Sequence, residues 1–311
     1  MENNFWKKLS KPIIALAPMA GVNDLAFRKM CEDFGADVIY SEMASATALA
    51  RNPKKTLKIL EFKKTDTPYI VQLFGSKVED FKPAVRRLEE DLSPSGIDIN
   101  FGCPVNKILR QGAGAILMQE KKEAKEIIFD VLEESSVPVS IKTRTKSGQV
   151  ELLDFLKYIK DLPVSALMIH GRSLSQGFIG EIDYNVIKQA RKYFSGVILA
   201  NGGINDFKQA QKTLRLTQAD GLGIARGSLG KPWLFKEIKE SKQINLSLAK
   251  IAKIALTQSR LAFQYGQEQG IKEMRKHLAW YIQSFPGAKT IRNELVKVET
   301  LTDIERILKK L

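Results

Sequence analysis

The sequence is poor in the residues that staple a protein or bind metals. Among 311 residues there are two cysteines, Cys31 and Cys103, and two histidines, His170 and His277. Two thiols make no disulfide framework, and their scarcity fits a reducing, cytoplasmic setting. With so few soft ligands there is no zinc or iron–sulfur spacing, so no metal is expected and any redox chemistry needs an organic cofactor. Long apolar runs are missing as well. No stretch reaches the length needed to cross a bilayer, and Met1 to Pro12 carries lysines without the apolar segment of a signal peptide. Acidic residues are outnumbered, 35 Asp and Glu against 49 Lys and Arg, for a formal charge of +14. That surplus would draw the chain toward a polyanion such as RNA, DNA or an anionic membrane surface, or would serve solubility alone.

What is present is a rhythm. Short β-branched runs recur at Ile13–Ala17, Ala36–Tyr40, Tyr69–Leu73, Ile97–Asn100, Pro138–Lys142, Ala166–His170, Val197–Ala200 and Gly221–Ala225. Helical patterns alternate with them at Asp24–Phe34, Val78–Glu90, Lys122–Glu134, Val150–Ile159, Asp183–Tyr193 and Phe207–Arg215, several opened by a capping Asp, Ser or Asn. Eight such units predict a (β/α)8 TIM barrel. An open doubly wound sheet would place a glycine-rich fingerprint after its first strand, and Ala17-Pro18-Met19-Ala20-Gly21 carries none.

After Pro232 the pattern becomes helical, over Leu246–Tyr265, Ile271–Gln283 and Leu301–Leu311, broken by Gly270 and by Pro286-Gly287. From Lys231 onward there are 16 Lys and Arg against 8 Asp and Glu. The expected organisation is a catalytic barrel over residues 1–242 and a small, basic, all-helical C-terminal domain over residues 243–311. Such an appendage would suit grip on a large anionic substrate, and a cap on the barrel or a dimer surface would read the same way.

Barrel strands bring their C-terminal ends to one face, so polar residues there are candidates for chemistry. In chain order these are Pro18-Met19, Glu42, Gln72, Asn100 with Cys103, Lys142 with Arg144, His170 with Arg172, Asn201-Gly202-Gly203 and Ala225-Arg226-Gly227. The two glycine-bearing segments that end the seventh and eighth strands read either as a phosphate cradle or as ordinary tight turns. Cys31, inside a helical pattern, reads as a small buried thiol. His277 lies in a basic helix, with no partner cysteine or carboxylate cluster around it in sequence.

The segments around these residues match one family. Ala17-Pro18-Met19-Ala20-Gly21, Gln72-Leu73-Phe74-Gly75, Asp98-Ile99-Asn100-Phe101-Gly102-Cys103-Pro104 and Gly112-Ala113-Gly114-Ala115 open the match. Ile141-Lys142-Thr143-Arg144, Ile169-His170-Gly171-Arg172, Asn201-Gly202-Gly203-Ile204 and Arg226-Gly227 with Gly230-Lys231-Pro232-Trp233 continue it. Arg275, His277, Trp280-Tyr281 and Pro286-Gly287-Ala288 carry it into the helical region. Over nearly its whole length the chain resembles the flavin-dependent tRNA-dihydrouridine synthases of the bacterial type.

The resemblance implies reduction of the C5–C6 double bond of a chosen uridine in tRNA, by FMN recharged from NADPH or NADH. A monomer is expected, although the sequence leaves the oligomeric state open. It implies that Pro18, Met19 and Ala20 line the flavin, that Gln72 and Lys142 bond to it and that His170 lies beside it. Asn201, Gly202, Gly203, Ala225 and Arg226 would hold its phosphate. Asn100, Lys142, Arg144 and Arg172 would face the uracil, while Arg275, Lys276 and Arg292 would meet the tRNA. Cys103 becomes the proton donor to C5, a role a thiol of free pKa about 8.5 can fill at neutral pH.

Two departures stand out. Ser173-Leu174 replaces the Thr-Arg usual after His-Gly-Arg, and Ala225 replaces a glycine. Competing readings are a flavin barrel acting on a free pyrimidine or enone, a ribosomal RNA target, and an RNA-binding barrel without turnover.

Overall fold

The computed structural model describes residues 4–51, 53–283 and 285–311. Eight parallel strands form a closed barrel: β1 (Ile13–Leu16), β2 (Val38–Ser45), β3 (Tyr69–Phe74), β4 (Gly96–Phe101), β5 (Val139–Arg144), β6 (Ala166–His170), β7 (Val197–Asn201) and β8 (Gly221–Ile224). Each strand pairs with its neighbours in sequence, and β8 returns to β1 through Ile13↔Gly221 to Leu16↔Ile224. Ile13 to Leu16 are all buried, as expected of strands covered on both faces. Inside the barrel, Ala15, Val38, Tyr40, Ile70, Met168 and Leu199 share a core with Trp6, which is 2% exposed and sits on a single turn at Phe5–Lys8. That turn is capped by the Asn4 side chain, which accepts from the Trp6 N–H at 3.1 Å.

The surrounding helices are α1 (Leu25–Asp33), α2 (Ala46–Arg51), α3 (Lys54–Leu60), α4 (Phe81–Asp91), α5 (Asn106–Leu109), α6 (Lys121–Glu134), α7 (Leu152–Tyr158), α8 (Tyr184–Ala190), α9 (Phe207–Thr217) and α10 (Leu234–Lys239). Caps explain several starts: Asp24, Asp183 and Asp206 each accept a backbone N–H three residues on. Three local expectations change. The second strand runs past Tyr40 to Ser45, with its register against β3 shifting between Tyr40 and Met43. The expected helix from Val78 begins as a tighter turn over Val78–Asp80. A two-stranded hairpin, Lys146-Ser147 with Val150-Glu151, precedes α7.

The C-terminal region holds α11 (Leu248–Tyr281), α12 (Ala288–Leu295) and α13 (Leu301–Leu308). The break within α11 falls at Gln267 (φ 50°, ψ −135°) rather than at Gly270. There the helix folds back on itself, and the Tyr281 hydroxyl donates to Gln258 Oε1 at 2.7 Å across the antiparallel pair. Gly270 serves close approach instead, since a Cβ there would run into the Ala262 carbonyl. Ala255, Ile271, Met274, Leu278, Leu295 and Ile304 form the core of these helices. They meet α1 through His277, whose Nε2 lies 3.0 Å from Asp24 Oδ2. His277 therefore has the carboxylate partner that its sequence neighbourhood lacks. Among the described residues, no helix is long and apolar enough to cross a membrane.

Candidate active site

The C-terminal ends of the strands enclose a cavity of about 770 Å³. Apart from Glu42, every barrel residue singled out from the sequence, from Pro18 to Arg226, lines it, whereas Arg275, Lys276 and Arg292 do not. Convergence follows from the barrel itself: parallel strands in register aim their last residues into one bowl.

Cys103 follows β4 on a loop pinned by side-chain amides. Asn100 Oδ1 accepts the backbone N–H groups of Gly102 at 3.0 Å and Cys103 at 2.9 Å. Asn100 Nδ2 in turn donates to Gln72 Oε1 at 2.8 Å and approaches Met43 Sδ at 3.7 Å. Asn100 is thus committed to the loop and has no free donor for a substrate. On its other side the Cys103 carbonyl accepts from Ala115 N–H at 3.0 Å. Gly114 (φ +68°) lies so near that a Cβ there would stand 2.9 Å from the Cys103 oxygen and 3.1 Å from its Cβ. This is the structural use of the Gly-Ala-Gly-Ala segment. Cys103 is half-buried, while Cys31 is fully buried.

Lys142, Arg144, Arg172 and Arg226 bring four cations to the cavity, the first two from β5, directly beside β4. Burial, joined by Arg144, lowers the Lys142 pKa to about 8. Burial also lowers Arg144 to about 10. Arg144 is tied down, donating from Nε to the Gly102 carbonyl at 2.7 Å and from Nη1 to the Ser173 and Gly177 carbonyls at 2.8 Å each. It braces the loop before Cys103 and the loop after β6 at once, leaving Nη2 for anything in the cavity. Burial, reinforced by Lys142, Arg144, Arg172 and Arg226, drives the His170 pKa down to about 2, so its ring is neutral. Arg172 donates from Nε to the Gly180 carbonyl at 2.7 Å, and its Nη1 is buried with no acceptor among the described residues.

The seventh and eighth strand ends form an open cradle. Gly202 (φ +109°) and Gly203 (φ +69°) adopt left-handed backbone, and a Cβ on Gly202 would lie 2.5 Å from His170 Cδ2. A Cβ on Gly227 would strike the Ile204 carbonyl. Asn201 Nδ2 donates to the Gly223 carbonyl at 2.7 Å, fixing β7 to β8. Ala225 has φ −117°, so the methyl that replaces the expected glycine meets no left-handed penalty, but its ψ of −115° lies outside both the α and the β regions.

Two residues gain weight from the structure. Phe178 is 52% exposed at the cavity wall, with Arg226 Cζ 4.6 Å and Arg144 Cζ 5.6 Å from its ring centroid. Only its place eight residues after His170 could have flagged it. Glu42, inside β2 at its register shift and outside the cavity lining, accepts the Gly21 N–H at 2.5 Å and so holds the loop bearing Pro18 to Ala20. Burial raises its pKa. In the helical region Arg275 Nε donates to the Val298 carbonyl at 2.8 Å and Arg292 Nη1 to the Ile282 carbonyl at 2.9 Å. Both tie the C-terminal end of α11 to the residues beyond it, and each retains other donors.

Residues 15–310 match the family model described as dihydrouridine synthase. A protein named tRNA-dihydrouridine synthase B in Pasteurella multocida is 35% identical to the chain over 278 residues, covering 87% of the chain and 83% of that protein. For the protein of the same name in Pectobacterium carotovorum the figures are 33% over 313 residues, with 97% and 96% covered. A probable tRNA-dihydrouridine synthase 1 of Synechocystis sp. is 31% identical over 301 residues, covering 94% of the chain and 84% of that protein. Among solved structures, histamine dehydrogenase from Rhizobium sp. 4-9 superposes with a TM-score of 0.58 at 11% identity, covering 96% of this chain and 61% of that one. A 2-naphthoyl-CoA reductase gives 0.56 at 12%, covering 74% and 50%. These last two likenesses speak to the fold alone.

Proposed function

The chain belongs to the tRNA-dihydrouridine synthase family, and from that premise we propose that it reduces the C5–C6 double bond of a chosen uridine in tRNA with FMN, recharged by NADPH or NADH. The cavity fits such a group. Its volume is in the range that holds a cofactor together with a base, Gly202 and Gly203 line it with left-handed backbone that other residues rarely adopt, and its buried Arg172 Nη1 lacks an acceptor among the described residues. Asn201, Gly202, Gly203, Ala225 and Arg226 would hold the phosphate. Pro18, Met19, Ala20, Gln72, Lys142 and His170 would meet the ring system. When bound and reduced, the flavin supplies hydride to C6 of the uracil.

The remaining tasks fall to the chain's own residues. The Cys103 thiol delivers a proton to C5, and its loop holds it over the cavity. Lys142, with its pKa near 8, is mainly charged at neutral pH and favours negative charge on the uracil oxygen as hydride arrives. Arg144 gives its Nε and Nη1 to three backbone carbonyls and so braces the thiol's loop rather than pairing with the thiol. Neutral His170 can hydrogen-bond beside the flavin without adding charge. The uridine must leave its stack to reach this site, at a cost of a few kcal/mol, roughly 2–4. Residues 243–311 are assigned the compensating grip on the tRNA backbone, with Lys276 the clearest contact since Arg275 and Arg292 also serve the fold.

The observation that carries this reading is the half-buried Cys103 thiol on the same cavity as Gln72, Lys142 and the glycine cradle. Mapping dihydrouridine across total RNA from cells with and without the gene, and with Cys103→Ala, tests it. Loss of dihydrouridine at defined tRNA positions is expected without the gene. With Cys103→Ala, formation should slow by about 10²–10⁴ while the purified protein stays yellow. No changed uridine, or full activity in the variant, refutes it.

A further inference from the structure

We propose that Asp98 is a positioning residue for Cys103, acting through Gln72 and Asn100 as the acceptor that fixes the direction of an amide relay. The proposal rests on the reading of Cys103 as proton donor. Asp98 lies on β4, fully buried, two residues before Asn100. Its Oδ1 accepts from the Ser140 hydroxyl at 2.6 Å and its Oδ2 from Gln72 Nε2 at 2.7 Å. Gln72 Oε1 then accepts from Asn100 Nδ2 at 2.8 Å, and Asn100 Oδ1 accepts the two loop N–H groups.

A carboxylate only accepts, whereas each amide can be turned round. With Asp98 at the foot, Gln72 must present its NH2 downward and its carbonyl upward. Asn100 must then present its NH2 to Gln72 and its carbonyl to the loop. Turning either amide sets donor against donor, or leaves a buried N–H without an acceptor. The same orientation leaves Gln72 one Nε2 hydrogen for the ring system in the cavity, so the foot of the relay also sets which face Gln72 shows a cofactor.

The groups facing Asp98 are Ser140 and Lys142 from β5, Gln72 from β3 and Tyr40 from β2. The Tyr40 hydroxyl has no partner among the described residues. Burial raises the Asp98 pKa to about 6, which shows what the fold gives up to keep a carboxyl where an apolar side chain would pack without this penalty.

Charge-swapped pairs test the relay. Gln72→Glu sets a second carboxylate against Asp98 and should break it. Adding Asp98→Asn restores a donor at position 98 and the full pattern above it. Asn100→Asp likewise disturbs the relay, and Asn100→Asp with Asp98→Asn rebuilds it with Gln72 reversed and the loop N–H groups still accepted. The readout is the rate of iodoacetamide alkylation of the native protein, which reports Cys103 because Cys31 is fully buried. Each single variant at 72 or 100 should change that rate roughly three- to tenfold, and each double variant should return to within about twofold of the parent. In the reversed pair the visible flavin band should shift although alkylation is normal.

Additive effects within the pairs, or single variants that alkylate like the parent, overturn the proposal. Should Gln72→Glu fail to fold, seen as alkylation of both thiols, the pair at positions 98 and 100 decides by the same criterion. None of these readouts passes through turnover. Dihydrouridine formation by Cys103→Ala would remove the proton-donor reading and leave the relay result standing.

Discussion

Gly114→Ala is the sharpest probe of how Cys103 is held. At φ +68° an alanine meets the left-handed penalty, about 1–2 kcal/mol. Its Cβ would also sit 2.9 Å from the Cys103 carbonyl oxygen, 3.0 Å from Ile108 Cγ2 and 3.1 Å from Cys103 Cβ. Two of these three neighbours belong to the loop that bears the thiol, and the oxygen is backbone, so relief must come from the loop moving. Overpacking of this kind costs about 1–3 kcal/mol. Together these give about 2–5 kcal/mol, or a melting temperature lower by about 3–8 °C for a chain of this size. A displacement of about 1 Å at the thiol should slow dihydrouridine formation on the order of 10²-fold. The assays are thermal unfolding, flavin absorbance per protein and dihydrouridine formation on unmodified tRNA. Gly287→Ala is the control: its φ is +84° with nothing within 4 Å, so it carries the backbone penalty without the collision. Equal losses of stability in the two variants, or parent-like turnover in Gly114→Ala, would mean that Gly114 does not hold the Cys103 loop in place.

Mild acid should destabilise the fold through His170. Its ring stays neutral when folded, with its pKa lowered from 6.5 to about 2, so below pH 6.5 the unfolded chain binds a proton that the folded protein refuses. Its contribution is complete above that pH and is lost as pH falls. His170→Gln should therefore show a shallower fall in melting temperature between pH 7 and pH 5, and parallel curves would count against it. Lys276→Glu should weaken tRNA binding and lower the salt slope of log K by about 1 while flavin stays bound. An unchanged slope would remove Lys276 from the interface.

Much of the fold can be read from the chain because buried parallel strands advertise themselves. Tyr69–Leu73 and Ala166–His170 are expected within a residue of where they stand. The expected second strand stops short at Tyr40 because Ser41 and Glu42 interrupt its apolar run. They are polar because Ser41 Oγ accepts the Gln72 N–H at 3.0 Å and because Glu42 holds Gly21. The barrel site residues are legible since strand ends must converge. What they do to one another is not. That Asn100 and Arg144 are occupied by backbone groups depends on distances no spacing encodes. Gly270 reads as a helix stop because glycine's cost in a helix and its use at a close approach leave the same mark in sequence. The partner of His277 lies 253 residues away and leaves no local trace.

That separation matters for how the chain is made. Asp24 caps α1 and also receives His277, so the first helix of the barrel is completed by a residue synthesised on the order of 10 to 50 s later at ordinary translation rates. β1 likewise waits for β8, from Ile13↔Gly221 onward, before its open edge is covered. Until then the nascent chain presents a bare apolar strand edge outside the ribosome, a surface that invites chaperones or neighbouring chains. An enzyme assigned to tRNA thus leaves translation's own machinery with its first strand the last to be sealed.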